Sequence, residues 1–176
     1  MECTLIRDVW RQIPGRPGQY LPDARSREYL PGMDSARFAA HEQFVLDEVL
    51  PRAERVYGAP HMASQRVLFG FSNGATFAAA IALTHPDAFG AVIALSPGGG
   101  ANSFAAIPQR DGGAPRLYTS GGLYEAGFRA NAIALVDVFR SRGALTVRRE
   151  PAGGHDEAVW QAYFPEAAMW AFSTNR

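Results

Sequence analysis

The apolar and polar positions of the chain follow two periods in turn. Four short runs read as strands: Arg66–Phe71, Ala91–Ser96, Arg116–Ser120 and Leu145–Glu150. The second is apolar throughout, as expected of a strand covered on both faces. The fourth alternates like an edge or half-buried strand. Runs at helical spacing lie between them. Asp34 or Ser35 is placed to cap a helix carrying Phe38, Val45 and Val49 on one stripe. Pro51 should kink or restart that helix, and Gly58-Ala59-Pro60 should end it. Asn73–Thr84 is a helix of small residues stopped by His85-Pro86. Tyr124–Arg142 puts Phe128, Ala132, Leu135, Val136 and Phe139 on one side, with Gly143 as its stop. Glu157–Phe164 is helical, and Pro165 suits the first turn of a closing helix to about Phe172.

Strands alternating with helices predict an α/β fold: a parallel sheet of about four to five strands with helices on both faces. Residues 1–33 are too rich in Pro and Gly for a long element and are expected to be an irregular N-terminal segment, with at most a short strand at Thr4–Trp10. Residues 34–176 form the expected core. Residues 97–115 read as a long loop of Gly, Ala and Pro.

One stretch carries chemistry. Gly70-Phe71-Ser72-Asn73-Gly74 sits between an apolar strand and a helix, the layout of a nucleophile elbow. The serine projects from a sharp turn. Gly70 and Gly74 are expected to be glycine because a side chain at either would collide with a neighbouring element. The Asn73 backbone N–H and the helix N-terminus should point to where an oxyanion forms. The bare pattern arises by chance roughly once in ten chains of this composition, so its strand–helix context carries the reading.

A serine nucleophile needs a base, and the base needs an acid to orient it. In a parallel sheet, sites gather at the carboxyl ends of strands. Ser72, the Gly121–Glu125 turn and His155 all follow strands and should converge. His155, on the turn after the last strand, is the expected base. The acid is sought between them among Asp87, Asp111, Glu125, Asp137 and Glu150. Glu125 is preferred because it follows a strand and Gly121-Gly122. Asp156 is expected to cap the next helix, and His41 to be a surface or packing histidine.

Composition narrows the partners. The chain has 176 residues, 47% apolar and 19% charged, which suits one globular domain. A formal net charge of zero gives no attraction to nucleic acid or to an anionic membrane. One cysteine and four scattered histidines suggest no disulfide and no metal site. No apolar run has membrane-spanning length. The N-terminus lacks a signal-peptide pattern, which predicts a cytoplasmic location.

The elbow, Ser120-Gly121-Gly122-Leu123-Tyr124-Glu125, and Gly153-Gly154-His155-Asp156 followed by Trp160 resemble α/β-hydrolases of the esterase D and enterochelin-esterase type. Upstream, Arg25–Leu30, His41-Glu42-x-Phe44 and Glu48–Pro51 resemble the segment before the elbow in that family. The likeness begins near residue 23 and runs to the C-terminus. It implies a catalytic triad of Ser72, His155 and Glu125, an acyl-enzyme, a small-molecule ester as substrate and no cofactor. Members of that family carry three or four more strands upstream, and a loop there donates a second oxyanion N–H. Only 65 residues precede the elbow strand here, without a His-Gly-Gly-like loop. The expectation is thus a partial α/β-hydrolase, an N-terminally shortened member. Its elbow strand would show an unpaired apolar edge through which copies associate. The alternatives are a non-catalytic module, or an acyl transferase or peptidase using the same triad.

Overall fold

The computed structural model describes residues 24–108 and 113–173. Its centre is a four-stranded, all-parallel sheet in the order β1-β2-β3-β4: β1 Val67–Phe71, β2 Ala91–Leu95, β3 Arg116–Ser120 and β4 Thr146–Arg149. Registers run Phe71 beside Leu95 and Leu95 beside Ser120. The carboxyl ends of the first three strands therefore finish level. This is the parallel α/β architecture that the alternation of strands and helices predicts.

The pleat sends alternate residues to two cores. Val92, Ala94 and Leu117 face one core, shared with α4 (Asn73–Thr84) and α6 (Ala126–Arg140). Ala91, Ile93, Leu95 and Tyr118 face the other, shared with Trp160, Ala167 and Ala171 of α7 (Glu157–Phe172). Ten consecutive residues of α4, Ala75–Thr84, are buried, so its small side chains let it lie close against β1 and β2.

Several elements differ from expectation. The stretch read as irregular contains α1 (Ala24–Tyr29), with Tyr29 packed on Phe77 at 5.2 Å between ring centroids. The strand expected at Thr4–Trp10 lies outside the described residues. The loop read at 97–115 contains α5 (Ala101–Ala105), anchored by buried Phe104. Tertiary packing, of half-buried Tyr29 in α1 and buried Phe104 in α5, gives these short helices what local propensity does not.

Pro51 acts on the turn before it. α2 (Ser35–Gln43) widens into a π-helical turn over Phe44–Val49, where the Leu50 N–H reaches back to the Val45 carbonyl. α3 (Leu50–Tyr57) then resumes with Pro51 in its first turn and ends at Gly58. The wider turn accommodates a ring that would otherwise crowd the carbonyl four residues back. Pro165, expected to open a separate helix, lies inside a continuous α7. Trp160 on one side of it and Ala167 and Ala171 on the other are all buried, which holds the two halves in line.

Candidate active site

Ser72 links β1 to α4 with φ 55° and ψ −132°. Its N–H donates to the Leu95 carbonyl at 3.0 Å, and its own carbonyl accepts from the Gly98 N–H at 3.0 Å. The strained turn is thereby tied to the end of β2. Gly70 is required, because a Cβ there would strike the Gly74 carbonyl and lie 2.8 Å from the Ala75 nitrogen. Gly74 is different. A Cβ there would meet only the Tyr29 ring, at 3.7 Å, an ordinary contact, so the collision expected at this position is absent. Asn73 is the first residue of α4, and its N–H is among those without an intrahelical acceptor. The Asn73 side chain donates to Ser26 Oγ of α1 at 3.3 Å.

The Gly121–Glu125 turn and the turn that carries His155 are laced together through their backbones. The Leu123 N–H donates to the Pro151 carbonyl at 2.9 Å, and Tyr124 to Gly153 at 3.0 Å. Gly122 lets the two backbones approach, since a Cβ there would strike the Gly153 carbonyl. This brings Glu125, at the start of α6, beside His155.

Ser72, His155 and Glu125 form one chain of contacts. His155 Nε2 lies 3.0 Å from Ser72 Oγ, and Nδ1 lies 2.8 Å from Glu125 Oε2. Glu125 is only 6% exposed. Its Oε1 accepts the Gly122 N–H at 2.6 Å and the Ser96 hydroxyl at 2.5 Å. A buried carboxylate is tolerable only when so many donors surround it. The imidazole is held on two sides, by Phe128 stacked at 3.9 Å and by Trp160 edge-on at 4.9 Å.

The other acids lie elsewhere. Asp87 and Asp137 are exposed, and Asp111 falls outside the described residues. Glu150 is taken by Arg129, at 2.8 Å, and by Arg148. Hydrogen bonds from those two guanidinium groups, Arg129 foremost, pull its carboxyl down to about 2. Asp156 accepts the Ala158 N–H at 2.7 Å and caps α7. His41 packs its ring on Phe77 at 4.2 Å. Among the described residues, no cluster of three His, Cys, Asp or Glu is placed to hold a metal ion, and no helix is long and apolar enough to cross a membrane.

Ser96 and the imidazole contact of Phe128 have no counterpart in the motif reading. Phe128 reads in sequence as part of the buried stripe of α6. The available signal for Ser96 is its position, a serine at the carboxyl end of the strand beside the elbow strand.

Comparison with known proteins places these features in context. The chain is 30% identical over 89 residues to the uncharacterized protein YjcH of Bacillus subtilis (strain 168), a match covering 51% of this chain and 37% of that protein. The chain thus spans little more than a third of its curated relative. Among solved structures it is similar to the enterochelin esterase of Shigella flexneri, with TM-score 0.67 and 22% identity over 87% of this chain and 41% of that one. It also resembles a ferulic acid esterase, with TM-score 0.62 and 21% identity over 75% and 60%. The S-formylglutathione hydrolase FrmB of Staphylococcus aureus gives TM-score 0.59 and 17% identity over 78% and 65%. At these identities the structures speak to the fold. The family described as "Putative esterase" matches residues 17–107, just over half of the sequence, and the chain belongs to that esterase family.

Proposed function

We propose that the protein is a serine carboxylester hydrolase working through an acyl-enzyme, with Ser72 as nucleophile, His155 as base and Glu125 as orienting acid. The observation that carries this reading is the unbroken run from Ser72 Oγ to His155 Nε2 and from Nδ1 to Glu125, at 3.0 and 2.8 Å. Both distances lie within the reach that proton transfer requires.

In the first half-reaction Ser72 Oγ attacks the ester carbonyl carbon while His155 Nε2 takes the hydroxyl proton. The Asn73 N–H and the α4 N-terminus stabilise the oxyanion. Collapse of the tetrahedral species breaks the bond to the alkoxy oxygen, which leaves as alcohol with the proton from His155. In the second half-reaction His155 deprotonates water, the hydroxyl oxygen attacks the acyl carbon, and the acid departs as Ser72 recovers its proton. The triad needs no cofactor for this, and a small-molecule ester is the substrate class. Membership of an esterase family supports the same reading.

The test compares hydrolysis of short p-nitrophenyl esters by the wild type and Ser72→Ala, with fluorophosphonate labelling of Ser72. A rate well above that of Ser72→Ala, together with labelling, is the expected result. Equal rates would sink the claim. A second reading, a module that keeps the triad without turnover, draws on one observation: β1, which carries the elbow, is the outermost strand of the sheet among the described residues. Labelling without turnover would favour it.

A further inference from the structure

We infer that Ser96, set in place by Trp160, is a positioning residue for the acid of the triad. The inference rests on the triad reading above. Four observations meet at Ser96. It follows β2 directly and is 1% exposed. Its φ of 49° is unusual for a residue with a side chain, and Ser72 is the other non-glycine residue with positive φ among those described. Its hydroxyl lies 2.5 Å from Glu125 Oε1. Its oxygen accepts the Trp160 indole N–H at 2.9 Å.

The donor inventory settles the direction of this run. An indole Nε1 can only donate. The Ser96 oxygen therefore accepts from Trp160, and its single proton is left for Glu125. Oε1 then receives two donors, the Ser96 hydroxyl and the Gly122 N–H, and has no room for a proton of its own. Glu125 is held as an acceptor, with Oε2 turned to His155. His155 Nδ1 must donate to it, which leaves the Nε2 lone pair facing the Ser72 hydroxyl. The tautomer that a general base needs is thus imposed from the far end, by a tryptophan whose indole N–H is given to Ser96.

The same side chain serves twice. Trp160 stacks on Phe71 at 4.5 Å and stands edge-on to His155 at 4.9 Å. One α7 residue therefore sets both the Glu125 carboxylate and the imidazole plane. Four charged groups on the neighbouring elements have other partners. Arg129 of α6 and Arg148 of β4 bind Glu150, Arg149 binds Glu166, and Asp156 caps α7. Glu157 begins α7. Ser96 is the hydroxyl that reaches the buried acid.

Loss of the Ser96 hydroxyl makes Glu125 more basic. While Glu125 stays ionised it then holds the Nδ1 proton more tightly, so the imidazolium loses its Nε2 proton at higher pH. When Glu125 itself takes up a proton, the base form of the triad is lost at higher pH as well. Both effects move the acid limb of kcat/KM upward.

The test uses Ser96→Gly, which suits the positive φ and removes only the hydroxymethyl group, and Trp160→Phe, which keeps a stacking ring and removes the donor. Both are measured on p-nitrophenyl acetate across pH, with NMR titration of the His155 ring and near-UV circular dichroism as a check of folding. Each should lose about 10- to 100-fold in kcat/KM, the worth of a hydrogen bond to a charged group. KM should stay within about twofold. The acid limb and the His155 titration should both move up, and the double variant should lose no more than Ser96→Gly alone. Wild-type kcat/KM with an unmoved His155 titration in Ser96→Gly overturns the inference. If that variant does not fold, the same result in Trp160→Phe overturns it. Should the wild type turn over esters no faster than Ser72→Ala, the esterase reading fails, and the His155 titration still decides the role of Ser96.

Discussion

The Phe128 ring lies on the His155 imidazole, with centroids 3.9 Å apart and 23° between the planes. Trp160 meets the same imidazole at 86°. The imidazole is thus wedged between a stacked ring and a perpendicular one, and it cannot turn without displacing one of them. Phe128→Ala opens one side. We expect kcat/KM to fall about tenfold as the imidazole explores unproductive orientations. The stability cost should be about 1–3 kcal/mol, because Phe128 is only half-buried. Phe128→Leu should recover part of the rate. Ester hydrolysis read beside thermal unfolding separates the two effects. A rate loss no larger than the unfolded fraction explains would count against the wedge.

The two elbow glycines should respond in opposite ways. Gly70→Ala forces a methyl group against the backbone of Gly74 and Ala75. Backbone is hard to move at the start of a buried helix, and a cost of about 3 kcal/mol or more is expected. Gly74→Ala meets only the Tyr29 ring at 3.7 Å, inside the first turn of α4. Alanine is the better helix former by about 0.5–1 kcal/mol, so this variant should be neutral or more stable. Chemical denaturation of the pair decides it. Equal destabilisation would show that α1 presses on the helix more closely than the Tyr29 contact implies.

That contrast shows where sequence reasoning reaches and where it stops. The elbow, the Gly121–Glu125 turn and the His155 turn are local patterns. Each follows a strand, and a parallel sheet gathers its strand ends on one side. Their convergence is therefore legible before any coordinates. Gly74 reads as a clash site because the motif treats both glycines alike, whereas the neighbour of each is set by tertiary packing. Ser96 and Phe128 stay hidden for the same reason: Glu125 is 29 residues from Ser96, and nothing local to Ser96 names it. The helices α1 and α5, of six and five residues, are too short for a periodic signal. Pro165 misleads because its local preference is overruled by burial along α7.

Glu125→Gln tests the proposed acid without emptying its site. The amide keeps the shape and can still accept at Oε1. Depending on its orientation, its NH₂ group either faces Nδ1 as a donor, which would favour the wrong imidazole tautomer, or clashes with the Ser96 and Gly122 donors. We expect kcat to fall about 10²- to 10⁴-fold with KM little changed. Glu125→Ala should fall as far in rate and further in stability, since it strands three donors in a buried pocket. A variant with more than half the wild-type kcat would remove Glu125 from the triad.

Glu150 gives a pH signature distinct from that of the proposed triad. Its pairing with Arg129 and Arg148 lowers its folded-state value to about 2, below its ordinary 4.5. A carboxyl lowered on folding contributes stability that is present above its unfolded value. That contribution is lost as pH falls from about 4.5 through about 2. Glu150 is at the surface, so the contribution is small and screened by salt. NMR titration of its side chain should show a midpoint well below that of an exposed glutamate. Glu150→Gln should flatten the stability profile in that acid window while leaving the neutral-pH rate unchanged. A midpoint near 4.5 would show that the two arginines do not hold it in solution.

The edge of β1 sets the last expectation. β1 is outermost in the sheet among the described residues, and its Phe69 and Phe71 are 44% and 36% exposed. They line an open apolar groove with Trp160 and Phe164 of α7. Phe69 meets the Phe164 ring at 4.8 Å. Exposed Phe172 and Met169 continue the apolar character toward the end of α7. A free strand edge with an apolar face is a liability for association, because pairing satisfies its backbone groups and removes the rings from water. The isolated 176-residue chain should therefore show light scattering and a size-exclusion position that depend on concentration. Phe69→Lys puts a charge on that edge. It should suppress the dependence while leaving the Ser72, His155 and Glu125 contacts undisturbed, since Phe69 touches none of them. A chain that elutes as a monomer at every concentration, with no binding of a hydrophobic dye, would show that the groove is covered in solution.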